Sequence, residues 1–123
     1  MQHEVRVLVV EDEQQIRGTV AEVLADEGYL VDVASNGVEA LDCALRALPD
    51  VVLLDLNLPV MDGWAFRDAL RGLAGGDAPR LIVMTADNRA AAKAQRIGAH
   101  AYLSKPFDLD YLLIVVSSVA RRT

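Results

Sequence analysis

Three short apolar runs constrain this chain more than any other feature: Val5 to Val10, interrupted only by Arg6, then Val51 to Leu54 and Leu81 to Met84. None alternates polar with apolar residues as a half-solvated strand does, and each is too short for a buried helix. Each is therefore predicted to be a strand covered on both faces. Between the runs the apolar residues recur at helical spacing. Ile16, Val20, Val23 and Leu24 share one helical face, and Gly28 supplies a stop. Leu30 to Ala34 reads as a second strand and Ser35, Asn36 and Gly37 as a turn. Ala40, Leu41, Ala44, Leu45 and Leu48 then stripe a second helix ended by Pro49. Leu56 to Asp62 reads as a loop, and a third helix from near Gly63 buries Phe66 and Leu70 before Gly72, Gly75 and Gly76. Asn88 to Ile97 is an alanine-rich helix stopped by Gly98, Ala101 to Leu103 a short fifth strand, and the last helix runs from about Asp108 to Arg121.

Five strand–helix units of this kind predict an α/β fold, a parallel sheet wound doubly with helices on both faces. At 123 residues, 53% of them hydrophobic, one domain spanning 1–123 can bury a core without disulfides or structural metal. Residues 118–123 are read as the possible start of a linker. The longest uninterrupted apolar run, Tyr111 to Val116, is far too short to span a bilayer, and no secretory signal is expected. Cys43 is the only cysteine and His3 and His100 the only histidines. No disulfide framework or Cys/His zinc site can be assembled, and a reducing, cytoplasmic setting fits.

Charge is distributed unevenly. Residues 1–62 carry 13 acids against 3 bases, whereas residues 63–123 carry 5 acids against 9 bases. Even the basic half is too mild to predict a nucleic-acid footprint. Only Lys93 and Lys105 are lysines among the 12 bases, so the place of each matters.

In a doubly wound sheet, ligands bind beyond the carboxyl ends of the strands. Glu11 and Asp12 follow the first strand, Asp55 the third, Thr85 and Ala86 the fourth, and Lys105 with Pro106 the fifth. Three carboxylates brought together repel one another unless a cation joins them. An oxygen-only donor set suits Mg²⁺, with Mn²⁺ as the alternative ion. A lysine and a hydroxyl beside them suggest phosphate, with Asp55 as a nucleophile that forms an aspartyl phosphate.

Each residue also has a plainer reading. Glu11, Asp12 and Glu13 are acids of a kind that favours a helix start; Thr85 alone would be a turn residue and Lys105 a solvated lysine. Asp55 resists such a reading, because an ionised acid ending a wholly apolar strand needs a partner. Trp64 reads as packing on the third helix, Cys43 as a buried small side chain and His100 as a surface residue. Arg67 and Arg71 read as an i, i+4 solvated pair. On the last helix Leu109, Leu112, Leu113, Val116 and Ala120 form the docking stripe. The opposite face carries Tyr111, Ile114, Val115 and Ser118, more apolar surface than docking needs and so a candidate partner face.

Four motifs in order, Val9-Val10-Glu11-Asp12-Glu13, Leu53 to Gly63 around Asp55, Met84-Thr85-Ala86 and Tyr102-Leu103-Ser104-Lys105-Pro106-Phe107, give the chain an end-to-end resemblance to receiver domains of bacterial two-component response regulators. The resemblance implies a flavodoxin-like (βα)5 sandwich in strand order 2-1-3-4-5. It further implies Asp55 as phosphoacceptor, Asp12 and Asp55 as direct Mg²⁺ ligands, Glu11 acting through a metal-bound water, and the Asn57 carbonyl as a further ligand. Thr85 and Lys105 would contact the phosphoryl group, Tyr102 would change rotamer with Thr85, and Asn57, Ala86 and Asp87 would neighbour the phosphoryl site. A histidine kinase or histidine phosphotransfer protein would be the donor, and an effector domain or protein, or a second receiver, the downstream partner. Two rivals stand beside this reading. A receiver-like module working without phosphorylation would not need Asp55, Thr85 and Lys105 together. An aspartyl-nucleophile phosphatase usually carries a second acid where Asn57 stands.

Overall fold

The computed structural model describes residues 4–121. Ten elements alternate: β1 (Arg6–Val10), α1 (Gln14–Asp26), β2 (Leu30–Ala34), α2 (Gly37–Arg46), β3 (Val51–Asp55), α3 (Gly63–Arg71), β4 (Arg80–Thr85), α4 (Ala90–Ile97), β5 (Ala101–Ser104) and α5 (Leu109–Ala120). All strand pairs are parallel, in the order β2-β1-β3-β4-β5, which is the expected topology. Ser118 to Ala120 are helical in α5, and residues 122–123 of the expected linker start lie outside the described residues, as does His3.

The apolar strands fill two cores by the two-residue alternation of side chains. Leu8, Val10, Val52, Leu54, Leu81 and Val83 face α2, α3 and α4, whereas Val7, Val9, Val51, Leu53, Ile82 and Met84 face α1 and α5. The side chains of β3 are buried along its whole length, which is why that strand is continuously apolar until Asp55.

Local chemistry sets the helix ends. Asn36 starts α2 by accepting a hydrogen bond from the Glu39 N–H at 2.9 Å, and the Glu39 carboxylate accepts from the Ser35 N–H and hydroxyl, each at 2.8 Å. Asp62 caps α3 and Asp108 caps α5 in the same way. Gly98 ends α4 with φ 78°, a conformation that glycine adopts without steric cost.

Three packing expectations are corrected. Leu45, 64% exposed, does not belong to the α2 core stripe and Leu48 is also exposed; Gly37, Ala40, Cys43 and Ala44 fill that face instead. Val115 is buried with Leu112, Val116 and Val119 in the α5 core and leaves the proposed partner face to Tyr111 and Ile114. Arg67 is not a solvated residue but part of the buried face of α3 with Gly63, Phe66 and Leu70. Cys43 is buried, and His100 is exposed, as expected.

Candidate functional site

The polar residues at the carboxyl ends of β1, β3, β4 and β5 meet at one rim. Glu11 is fully buried, with its N–H donating to the Ala34 carbonyl at 3.0 Å, so β2 fixes where the chain leaves β1. Its Oε2 accepts from the Glu13 N–H at 3.1 Å and its Oε1 accepts from Lys105 Nζ. Lys105 Nζ also donates to Asp55 Oδ2 at 3.0 Å, while Asp55 Oδ1 accepts from the Asn57 N–H at 3.0 Å. Both oxygens of the buried Asp55 are thereby oriented. Asp12, Glu11 and Asp55 each place a carboxylate oxygen within 4.8 Å of the others, close enough to share one cation. Asp12 itself is exposed at the mouth.

Electrostatics at the rim divide by group. Burial raises the Glu11 pKa, aided by the Asp55 charge, against the lowering effect of the Lys105 and Glu13 hydrogen bonds. For Lys105, burial acts to lower the pKa, but hydrogen bonds to Glu11 and Asp55 and both negative charges outweigh it. The net direction is upward, and the ammonium form is held.

Close backbone approach fixes the loop after Asp55. A methyl group on Gly63 would stand 2.9 Å from the Asp55 carbonyl oxygen, and one on Gly37 would stand 2.5 Å from the Met61 carbonyl oxygen. Glycine at both positions lets the starts of α2 and α3 lie directly against this loop. At its tip Val60 is exposed with φ 68°, a left-handed conformation that costs a β-branched residue on the order of 1–2 kcal/mol.

On β4, Thr85 is buried and its hydroxyl oxygen accepts from the Asp87 N–H at 3.1 Å, while its carbonyl accepts from the Lys105 N–H at 2.9 Å. Asn57 and Ala86 are exposed beside the site. Asp87 is oriented elsewhere: its carboxylate accepts from Lys93 Nζ at 2.6 Å and from the Arg89 N–H at 2.7 Å, anchoring the start of α4. Tyr102 lies on β5, exposed, and with Tyr111, His100 and Phe107 borders a shallow groove. A cleft of about 460 Å³ opens on the other side of Lys105, between α1 and the β5–α5 connection, lined by Glu13, Ile16, Thr19, Ala86 and Phe107 among others.

Sequence reasoning missed two supports. Arg17 donates from Nη1 to the carbonyls of Glu11, at 3.0 Å, and Asp12, at 3.3 Å, tying α1 to the acidic loop. Its signal was rarity, since it is one of 3 bases in the acidic half. The Lys93–Asp87 pair was the other, and the scarcity of lysine was again the available clue.

Residues 7–117 match the family model of the response regulator receiver domain. The transcriptional regulatory protein PcoR of Escherichia coli is 39% identical over 118 residues, covering 95% of this chain and 52% of the relative. The response regulator MprA of Mycobacterium tuberculosis is 39% identical over 121 residues, covering 97% of this chain and 52% of the relative. The chain thus spans about half the length of the curated relatives it matches. Among solved structures, the chemotaxis response regulator CheY4 of Vibrio cholerae superposes with TM-score 0.87 at 34% identity, covering 95% of this chain and 99% of that one.

Proposed function

Because this chain belongs to the response regulator receiver domain family, we propose that it is a phosphoacceptor switch of a two-component relay, taking a phosphoryl group on Asp55 from a phosphohistidine of a histidine kinase or phosphotransfer protein. One observation carries the reading: Asp55, oriented by the Asn57 N–H and Lys105 Nζ, lies within a set of three carboxylates that can share a cation.

The donor set fits Mg²⁺, being all oxygen, with one fully buried acid that burial disfavours as a lone anion. Asp12 and Asp55 would hold the ion directly, Glu11 through water and Asn57 through its carbonyl. When bound, Mg²⁺ supplies charge neutralisation for carboxylate and phosphoryl oxygens. The rest falls to the chain. A lone pair of Asp55 forms the O–P bond while the P–N bond to the donor histidine breaks, its electron pair leaving with the imidazole. Lys105 releases Asp55 Oδ2 to meet a phosphoryl oxygen while Glu11 keeps its ammonium in place. The Thr85 hydroxyl, which already accepts from Asp87, has its proton free to donate to the same group.

Phosphorylation biases an existing equilibrium of the β4–α4 loop and Tyr102, altering the α4–β5–α5 face, where Tyr111 and Ile114 stand exposed. An effector domain or protein, or a second receiver, reads that face. The protein acts on no metabolite, works in the cytoplasm and hydrolyses its own aspartyl phosphate. Ala86, small and exposed, leaves water room to attack, so the phosphoryl group is short-lived and enlarging Ala86 lengthens its life. No helix among the described residues is long and apolar enough to cross a membrane.

Incubation with a small acyl phosphate and Mg²⁺, followed by intact mass and hydroxylamine treatment, tests the reading. One phosphate-sized, hydroxylamine-labile mass gain, absent in Asp55→Asn, is expected. No gain, or a gain surviving that substitution, overturns it.

A further inference from the structure

The three carboxylates of the rim are not held alike. Glu11 is fixed through its side chain by Lys105 Nζ and the Glu13 N–H, and Asp55 by Lys105 Nζ and the Asn57 N–H. Asp12 is the exception: among the described residues no hydrogen bond or ion pair reaches its carboxylate, and the residue is exposed. A side chain with no partner of its own points where its backbone sends it. What holds the backbone of Asp12 therefore decides whether a third carboxylate stands ready beside the other two.

Arg17, one turn into α1, folds its guanidinium back over the helix start. One nitrogen, Nη1, donates to the Glu11 carbonyl at 3.0 Å and to the Asp12 carbonyl at 3.3 Å. These carbonyls belong to the two peptide planes that flank the Asp12 Cα, and each plane is rigid. Pinning both on one donor restricts φ and ψ of Asp12 together, and so the direction of its Cβ. The plane between Asp12 and Glu13 is held a second time, because the Glu13 N–H donates to Glu11 Oε2. The plane between Glu11 and Asp12 has no other hydrogen bond among the described residues, and Glu13, at the N-cap of α1, adds no side-chain cap. That plane depends on Arg17 alone.

We propose that Arg17 is a positioning residue for the cation site: by fixing the backbone of Asp12 it holds the Asp12 carboxylate in place for a divalent ion. The inference rests on reading Glu11, Asp12 and Asp55 as a Mg²⁺ site, and deepens it with a residue that acts only through backbone carbonyls. The charge of Arg17 works the other way. A guanidinium near a dication repels it, so charge alone predicts that removing Arg17 tightens Mg²⁺ binding. Positioning predicts that removal weakens it. A group that orients a metal ligand from behind is worth about tenfold or more in affinity, whereas repulsion near the surface is screened by water and salt. The positioning effect therefore sets the sign.

The test is a Mg²⁺ titration of the full chain by NMR at constant ionic strength, following the Asn57 and Ala86 amides. Arg17→Met should raise the Mg²⁺ dissociation constant about tenfold. Arg17→Lys keeps the charge but loses the planar fork of donors, and should raise it by less. In the metal-free protein the order parameter of the Asp12 amide, which lies in the plane between Glu11 and Asp12, should fall in Arg17→Met while that of Asn57 stays unchanged. In an Asp12→Ala background Arg17→Met should cost little further affinity, because the carboxylate it places is gone. Tighter or unchanged Mg²⁺ binding in Arg17→Met, an Asp12 amide that stays rigid in that variant, or an equal loss in the Asp12→Ala background would overturn the proposal. If the unsubstituted chain binds Mg²⁺ and only these expectations fail, the phosphoacceptor reading stands. Absence of saturable Mg²⁺ binding by the unsubstituted chain would overturn both.

Discussion

Lys105 and Arg67 are both largely withdrawn from solvent, yet Lys105 meets two carboxylates while the more buried Arg67 meets none. Their surroundings push in opposite directions. Burial alone would lower the pKa of either, but at Lys105 the acids Glu11 and Asp55 reverse it, whereas at Arg67 burial is reinforced by Arg71. A cation satisfied by the chain's own acids belongs to a site that is assembled before its ligand arrives. A cation left unsatisfied costs stability.

Removing each in turn should separate the two cases. Lys105→Met strands two buried acids and is expected to cost about 3 kcal/mol in urea denaturation without divalent cations. Adding Glu11→Gln to that variant should return roughly 1 kcal/mol, since the two groups share one interaction. A neutral Lys105→Met would show that the acids do not depend on the lysine. Arg67→Met goes the other way, with a gain of about 1 kcal/mol, because an apolar side chain replaces orphaned N–H groups. A loss of stability would mean that Arg67 is already satisfied.

Lys93 provides the small-effect control, being paired with Asp87 but partly in solvent, so Lys93→Met should change stability by about 0.5 kcal/mol or less. The same pair sets a pH dependence. The Lys93 hydrogen bond first, and the Arg89 N–H second, hold the Asp87 pKa below its ordinary 3.8. A carboxylate with a depressed folded value adds stability that is present above the ordinary value and lost as pH falls through the folded one. The Arg89 amide should therefore titrate with a midpoint below 3.8, and Lys93→Met should raise that midpoint.

The strands were legible because covering on both faces leaves only apolar residues, as in Val51 to Leu54, and any polar residue ending such a run then stands out. Asp55, Thr85 and Lys105 were visible in that way. The Glu11–Lys105 bond joins residues 94 apart in sequence and has no local signature. Helix faces were less legible, because the sheet decides which arc is covered. Buried positions on α3 are 63, 66, 67 and 70 and on α5 are 112, 115, 116 and 119, the same spacing. Reading Arg67 by its charge rather than by that spacing placed it in solvent, and reading Val115 as part of an apolar back missed the same rule.

The alternation that divides the two cores has a consequence for how a signal could travel. Asp55 shares the parity of Val51 and Leu53, on the α1 and α5 side, whereas Thr85 shares that of Leu81 and Val83, and Tyr102 is paired in register with Val83, on the α4 side. Asp55 and Tyr102 thus leave the sheet on opposite faces, while the proposed partner face wraps the β5 edge and takes in Tyr111 and Ile114 of α5 as well. A fluorophore or crosslinker placed beside Tyr102 can therefore follow the response without entering the compartment where Asp55 reacts.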